Sequence, residues 1–247
     1  MIEHIPLLIG AGLLAGAMNA VAGGGSFVTF PALVFAGLPP MIANATSTVA
    51  LLPGTIVSAW AYRAGLSGIG GLPLRLLVPI SLAGGFIGAM LLLFTPGRTF
   101  DAVIPWLLLL ATLVFAGGRE LVHALSGKLR IGKAPILLTQ FLISIYGGYF
   151  GGAVGLIMLA VWSLFESADL KSLAPARTLL VSAANAMAAV CFVVAGAVRW
   201  PEMLAMLVSV VIGGYVGARG AGFLPAKVVR GCVLVLSASV TVYFFRR

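Results

Sequence analysis

Residues 5–37 read IPLLIGAGLLAGAMNAVAGGGSFVTFPALVFAG. As one helix this stretch would be about 48 Å long at 1.5 Å per residue. That is too long for a hydrocarbon core of about 30 Å and too short for two full crossings. A natural break lies at Ala22-Gly23-Gly24-Gly25-Ser26, because glycine lets a backbone turn sharply and lets other groups come close. The pattern predicts a re-entrant helical hairpin. The residues before it, Met1-Ile2-Glu3-His4, include an acid and no Lys or Arg, unlike the basic start of a secretory signal, so the first helix is expected to be retained.

The rest of the composition agrees with a membrane-embedded chain. Hydrophobic residues make up 61% of the 247 residues and charged residues 9%, against about 45–50% and about 25% in soluble domains. No water-soluble core hides that much apolar surface. The net charge of +9 is spread over the ends of apolar runs and is not gathered with aromatics on one segment, so nucleic acid is not an expected partner. Both cysteines, Cys191 and Cys232, sit inside apolar runs and read as small hydrophobes.

Further apolar runs lie at about 42–62, 73–95, 102–122, 135–165, 173–195, 201–218 and 226–245, punctuated by Gly, Pro and charge. Eight to ten embedded helical segments are expected. The run 135–165 has its own cluster, Gly147, Gly148, Gly151, Gly152 and Gly155. A shift of about 128–131 residues superposes Ala43 on Ala174, Gly65 on Gly196, and Gly84-Gly85-Phe86-Ile87-Gly88-Ala89 on Gly213-Gly214-Tyr215-Val216-Gly217-Ala218. The chain therefore reads as a duplication: a first repeat over 1–124, a cytoplasmic linker at 125–133 and a second repeat over 134–247, all in one transmembrane domain.

The distribution of Lys and Arg bears on the relative orientation, since cytoplasmic loops carry the positive excess. With a hairpin and three crossings per repeat the repeats are inverted. Arg63, Arg75, Arg119, Lys128, Arg130, Lys133, Lys171, Arg177, Arg219, Lys227 and Arg230 then lie inside, and Arg98, Arg199, Arg246 and Arg247 outside, eleven against four. If each broken run crosses once, the split falls to nine against six. The expected fold is thus an all-α polytopic membrane protein of two inverted repeats, each a re-entrant helical hairpin plus three transmembrane helices, with both chain ends outside.

Non-helical backbone at membrane depth is tolerated only where protein buries it or water reaches it, so two glycine turns point to a cavity. A helix that starts after such a turn offers unpaired N–H groups and the positive end of its dipole, which favour an anion. Ser26 adds a hydroxyl there. In 42–62, Asn44, Ser47, Thr48, Thr55, Ser58 and Tyr62 share one helical face. Its counterpart carries Thr178, Ser182 and Asn185, with Ser47 superposing on Thr178. Such stripes either line a pathway or serve as interhelical hydrogen bonds, and both uses stay open. Arg177 reads either as a snorkelling residue near the cytoplasmic end or as an anion-attracting group at the inner mouth. Glu120, Glu166 and Asp169 flank helix ends and read as solvated partners of nearby cations. The only histidines, His4 and His123, lie outside the embedded segments. No base is therefore placed to make Ser26 a nucleophile, and no enzyme activity is expected.

These residues carry a resemblance. Gly16-Ala17-Met18-Asn19 leads into Ala22 to Ser26, followed by Pro31, Gly37 and Ala43-Asn44-Ala45-Thr46-Ser47. Gly147-Gly148-Tyr149-Phe150-Gly151-Gly152, Asp169-Leu170-Lys171, Ala174 to Thr178 and Ala195-Gly196 follow in the second half. In this order, over nearly the whole chain, they resemble the sulfite exporter TauE/SafE family of membrane transporters. The resemblance implies movement of small sulfur-containing anions across a bacterial inner membrane. Two features depart from the family pattern: Arg177 stands where a threonine like Thr46 would be expected, and the second turn reads Gly-Gly-Ala-Val-Gly. The expected substrate-binding set is Asn19, Gly23, Gly24, Gly25, Ser26, Asn44, Ser47, Thr48, Gly151, Gly152, Arg177, Thr178, Ser182 and Asn185. No metal or cofactor is expected. The partners are a small anionic solute and the lipid bilayer, with a homodimer left open. A secondary transporter working by alternating access leads, with an anion channel or a structural membrane subunit as alternatives.

Overall fold

The structure, a computed structural model, describes residues 4–21, 24–125, 132–165, 170–220 and 226–246. Within them lie ten α-helices: α1 (Ile5–Val21), α2 (Ser26–Phe35), α3 (Pro40–Ala61), α4 (Leu74–Phe94), α5 (Gly97–Leu125), α6 (Lys133–Tyr149), α7 (Val154–Phe165), α8 (Leu170–Val194), α9 (Trp200–Gly220) and α10 (Ala226–Arg246). Among the described residues there is no strand, only an isolated bridge between Ile69 and Leu72 in the α3–α4 loop. Each apolar run becomes one helix, except the two runs with glycine clusters, which each become two. Four helices have a described stretch long and apolar enough to cross a membrane: α3, α4, α5 over Gly97–Val114, and α8 over Ser172–Val194. Shorter apolar stretches lie in α1, α2, α9 and α10.

Exchanging α1–α5 with α6–α10 leaves the main contacts in place. α1 packs on α9 as α6 packs on α4, α3 on α9 as α8 on α4, and α2 on α10 as α7 on α5, while α3 meets α8 and α5 meets α10 directly. Directions follow from which residues touch. A side chain at Gly12 would run into Met206 and Ser209, and one at Gly16 into Val210 and Gly214, so α1 and α9 run parallel. Gln140 Nε2 donates to Ser81 Oγ at 2.8 Å, and Gly84 and Gly88 face Ser144 and Gly148, so α4 and α6 also run parallel. α3 and α8 are antiparallel: Thr46 meets Arg199, Thr55 meets Ser182, and Gly65 meets the Pro175 ring.

Apolar lipid gives no hydrophobic drive between helices, so close backbone approach and hydrogen bonds hold them together. At Gly148 and Gly88 an added methyl would overlap the partner helix's backbone, that of α4 and of α6 respectively. The same close approach joins α1 and α9 through Gly16 and Gly213. Around the α4–α6 pair, Trp162 Nε1 donates to Gln140 Oε1 at 3.2 Å, and Ser144 Oγ donates to Gln140 O at 2.8 Å. This buried group of polar side chains is satisfied within itself.

The glycine contacts make a test. Gly16→Val should push α1 off α9 and cost on the order of 1–3 kcal/mol as an overpacked site, read as a lower thermal midpoint in detergent. Gly10→Ala, in the same helix but facing open space, should be neutral or slightly stabilising, as a helical glycine gives way to a better helix former.

Candidate functional site: two glycine turns

The first turn joins α1 to α2. Gly24 has φ +90°, in the left-handed region open to glycine, and Gly25 leads into the first turn of α2. The chain doubles back tightly: a side chain at Gly25 would touch Ala15 O, Leu51 and Asn19. Backbone N–H groups of Phe27 and Val28 donate to Gly24 O and Gly25 O at 3.0 Å. Thr29, fully buried, bonds to Ser47 Oγ at 2.6 Å and lies 3.2 Å from Gly25 O, which ties the turn to α3. Thr29 was not legible as a site residue because nothing in its spacing separates it from an ordinary buried threonine.

The second turn joins α6 to α7. Gly151 has φ +77° and Ala153 φ +55°. A non-glycine residue in that region costs roughly 1–2 kcal/mol, and such strain persists where its surroundings enforce it, often at functional sites. Tyr146 Oη donates to Gly152 O at 2.8 Å, and Phe150 packs so closely that a side chain at Gly152 would strike its ring. Tyr146 and Phe150 are further residues that sequence reading missed. Two helices that flank the first turn also touch the second: Asn44 Nδ2 of α3 donates to Tyr149 O at 3.0 Å, and the ring of Phe30 of α2 meets that of Phe150 edge to face at 5.8 Å.

Gly24, Gly25, Ser26, Asn19 and Ser47 thus gather around the first turn, while Gly151 and Gly152 form the second, which Asn44 reaches from α3. Arg177 reaches the second from α8, with its Cδ 3.3 Å from where a side chain on Gly155 would begin. Among the described residues its guanidinium makes no ion pair; the recorded ion pair is Arg199 with Glu202 at 3.3 Å. Gly23 lies outside the described residues, as do Glu166 and Asp169.

The polar stripes divide by use. Thr48, Ser58 and Thr178 donate to carbonyls one turn back in their own helices, at 2.9, 2.8 and 2.8 Å, and Thr55 to Leu52 O at 2.9 Å beside Pro53. Ser182 Oγ crosses to Thr55 O at 3.0 Å, binding α8 to α3. Asn185 leaves its Oδ1 buried without a hydrogen-bond partner. No group of three or more His, Cys, Asp or Glu placed to hold a metal occurs among the described residues.

A helical bundle with four spans apolar and long enough to cross a membrane and two glycine turns between shorter helices fits a helical membrane protein of the transporter class. The chain belongs to the sulfite exporter TauE/SafE family, whose profile matches residues 8–244. It is 30% identical over 242 residues to "Probable membrane transporter protein ORF9" of Sinorhizobium sp, covering 96% of this chain and 91% of the relative. It is 26% identical over 237 residues to "Probable membrane transporter protein YfcA" of Escherichia coli K12, covering 94% and 88%. A "Probable membrane transporter protein" of Haemophilus influenzae is 24% identical over 244 residues, covering 97% and 94%. No solved structure matches the chain significantly.

The turn geometry predicts opposite responses to small substitutions. Gly24→Ala should lower the thermal midpoint, since alanine at φ +90° is strained. Ala153→Gly should leave stability unchanged or raise it by up to about 1 kcal/mol, as relief of the left-handed strain outweighs the added chain entropy.

Proposed function

We propose that the chain is a secondary transporter of small anions, with sulfite or another sulfur oxyanion or organosulfonate as substrate. It sits as a multi-pass protein in the bacterial inner membrane and works by alternating access around the paired glycine turns. The observation that carries this reading is that α3 reaches both turns, through Ser47 with Thr29 at the first and Asn44 with Tyr149 at the second. Each turn ends where a helix begins. The N–H groups of Phe27, Val28, Leu156 and Ile157 already donate to turn carbonyls, so what each helix start offers an anion is chiefly the positive end of its dipole. Ser26 and Asn19 flank the first turn, and Arg177 lies against the second with no carboxylate counter-charge among the described residues. Thr48, Thr178, Ser182 and Asn185 extend the polar surface from the turns along α3 and α8. The family description and the names of the relatives point the same way.

The repeats are read as inverted, 1–124 against 134–247. The exchange symmetry of the helix contacts and the antiparallel course of α3 and its counterpart α8 support this. With a hairpin at each turn, the α4–α5 and α8–α9 loops face the same side. Cysteines at Pro96 and Ala195, both exposed, should label from outside the cell and one at exposed Ser67 from the cytoplasm. Labelling of positions 96 and 195 from opposite sides would sink the inverted arrangement.

The substrate reading is tested by thermal shift of the purified protein with sulfite, sulfate, thiosulfate, sulfonates and small carboxylates. A bound anion at 100 times its dissociation constant should stabilise by about 2.7 kcal/mol. The shift should be selective for a sulfur oxyanion and should shrink in Ser26→Ala and Arg177→Thr. Equal shifts for all the anions, or shifts unchanged in both variants, would count against the site.

A further inference from the structure

The contact pattern is symmetric, but its closure is not. Ser47 superposes on Thr178, so the second half of α3 corresponds to the second half of α8. There Ala184 and Ala188 are 0% and Cys191 8% exposed. Their counterparts in α3 differ: Pro53 is half-buried, Val57 is 67% and Trp60 66% exposed. Lipid on one side does not account for this. Leu51 to Thr55 are all half-buried, and five successive helical residues point in every direction around the axis. A helix merely facing lipid would bury its whole inner face, whereas in 51–61 only Ala59 is buried.

The helices that cover these two stretches differ in the same sense. Gly85 of α4 sits on α8, and a methyl there would overlap the backbone of Ala184. Its counterpart Gly214 of α9 meets nothing of α3; a methyl there would find only Gly16 O, at 3.7 Å. A methyl on Gly54 of α3 would point into open space. At the other end of the α3–α8 pair the structure is shut. Arg199 N donates to Thr46 Oγ1 at 3.1 Å, and Leu38, Ala197 and Val198 are buried.

Resting on the transporter reading above, we propose that this structure is one end state, closed where α8 passes into α9 and open beside the second half of α3. In the other end state the two closures change places: Gly214 of α9 seats on Pro53 of α3, and α4 leaves Ala184 of α8. The reason is the duplication. Two copies of one design can each take the open or the closed packing, so interchanging the packings gives a state of similar energy facing the other way. With the orientation argued from the basic residues, the present state opens to the cytoplasm, on the side of Arg177.

Thiol labelling in nanodiscs, where both faces are reachable, tests this without any substrate. In a Cys232→Ser background, Gly54→Cys should react with a water-soluble maleimide while native Cys191 stays unlabelled. A Pro53→Cys, Gly214→Cys pair should form a disulfide under mild oxidation, and Cys191 should then lose its protection, as read by mass spectrometry. Protection of Gly54→Cys equal to that of Cys191, absence of the disulfide, or continued protection of Cys191 in the locked protein would each overturn the proposal. These outcomes do not depend on which anion is carried. A failed sulfite shift with the expected labelling would remove the substrate reading and leave the exchange of closures standing.

Discussion

A helix that stops inside a hydrocarbon layer leaves amide groups with no water to satisfy them, so it must be surrounded by protein or reach a wetted cavity. On the re-entrant reading proposed above, the two glycine turns impose this constraint twice. Thr29 and Ser47 brace the first turn, Tyr146 and Phe150 the second, and α3 reaches both, through Ser47 and through Asn44, which donates to Tyr149 O. The strained Ala153 is held by the same packing.

The glycines outside the turns serve a different need. α1 lies against α9 and α4 against α6 at distances that a side chain would not allow. Each hairpin is therefore fixed to a helix from the other end of the chain. α3 and α8 cross between these pairs and carry the polar stripes, α8 lying against α4 as closely at Gly85.

The ten helices were legible because apolar run length and glycine punctuation are local properties; the breaks at Gly23 to Gly25 and Gly151 to Gly152 fall where α1 gives way to α2 and α6 to α7. The site was legible in part. The glycine clusters and Asn44 stood out by composition and spacing. Thr29, Tyr146 and Phe150 did not, since their roles depend on which carbonyl or ring a distant segment brings to them. The polar stripe of α3 was visible as a stripe, yet its hydroxyls divide between own-helix carbonyls, Thr29 on α2 and α8, and spacing along one helix carries no information about that.

By itself the sequence determined that this is a helical membrane chain and that two runs break at glycine, because hydropathy and backbone freedom are written residue by residue. Only the tertiary structure decided that α3 reaches both breaks, that Arg177 lies beside Gly155 just past the second, and that the second half of α8 is more deeply buried than that of α3. Those facts arise from contacts between residues on different helices, where packing of whole helices, and no local preference, sets what touches what.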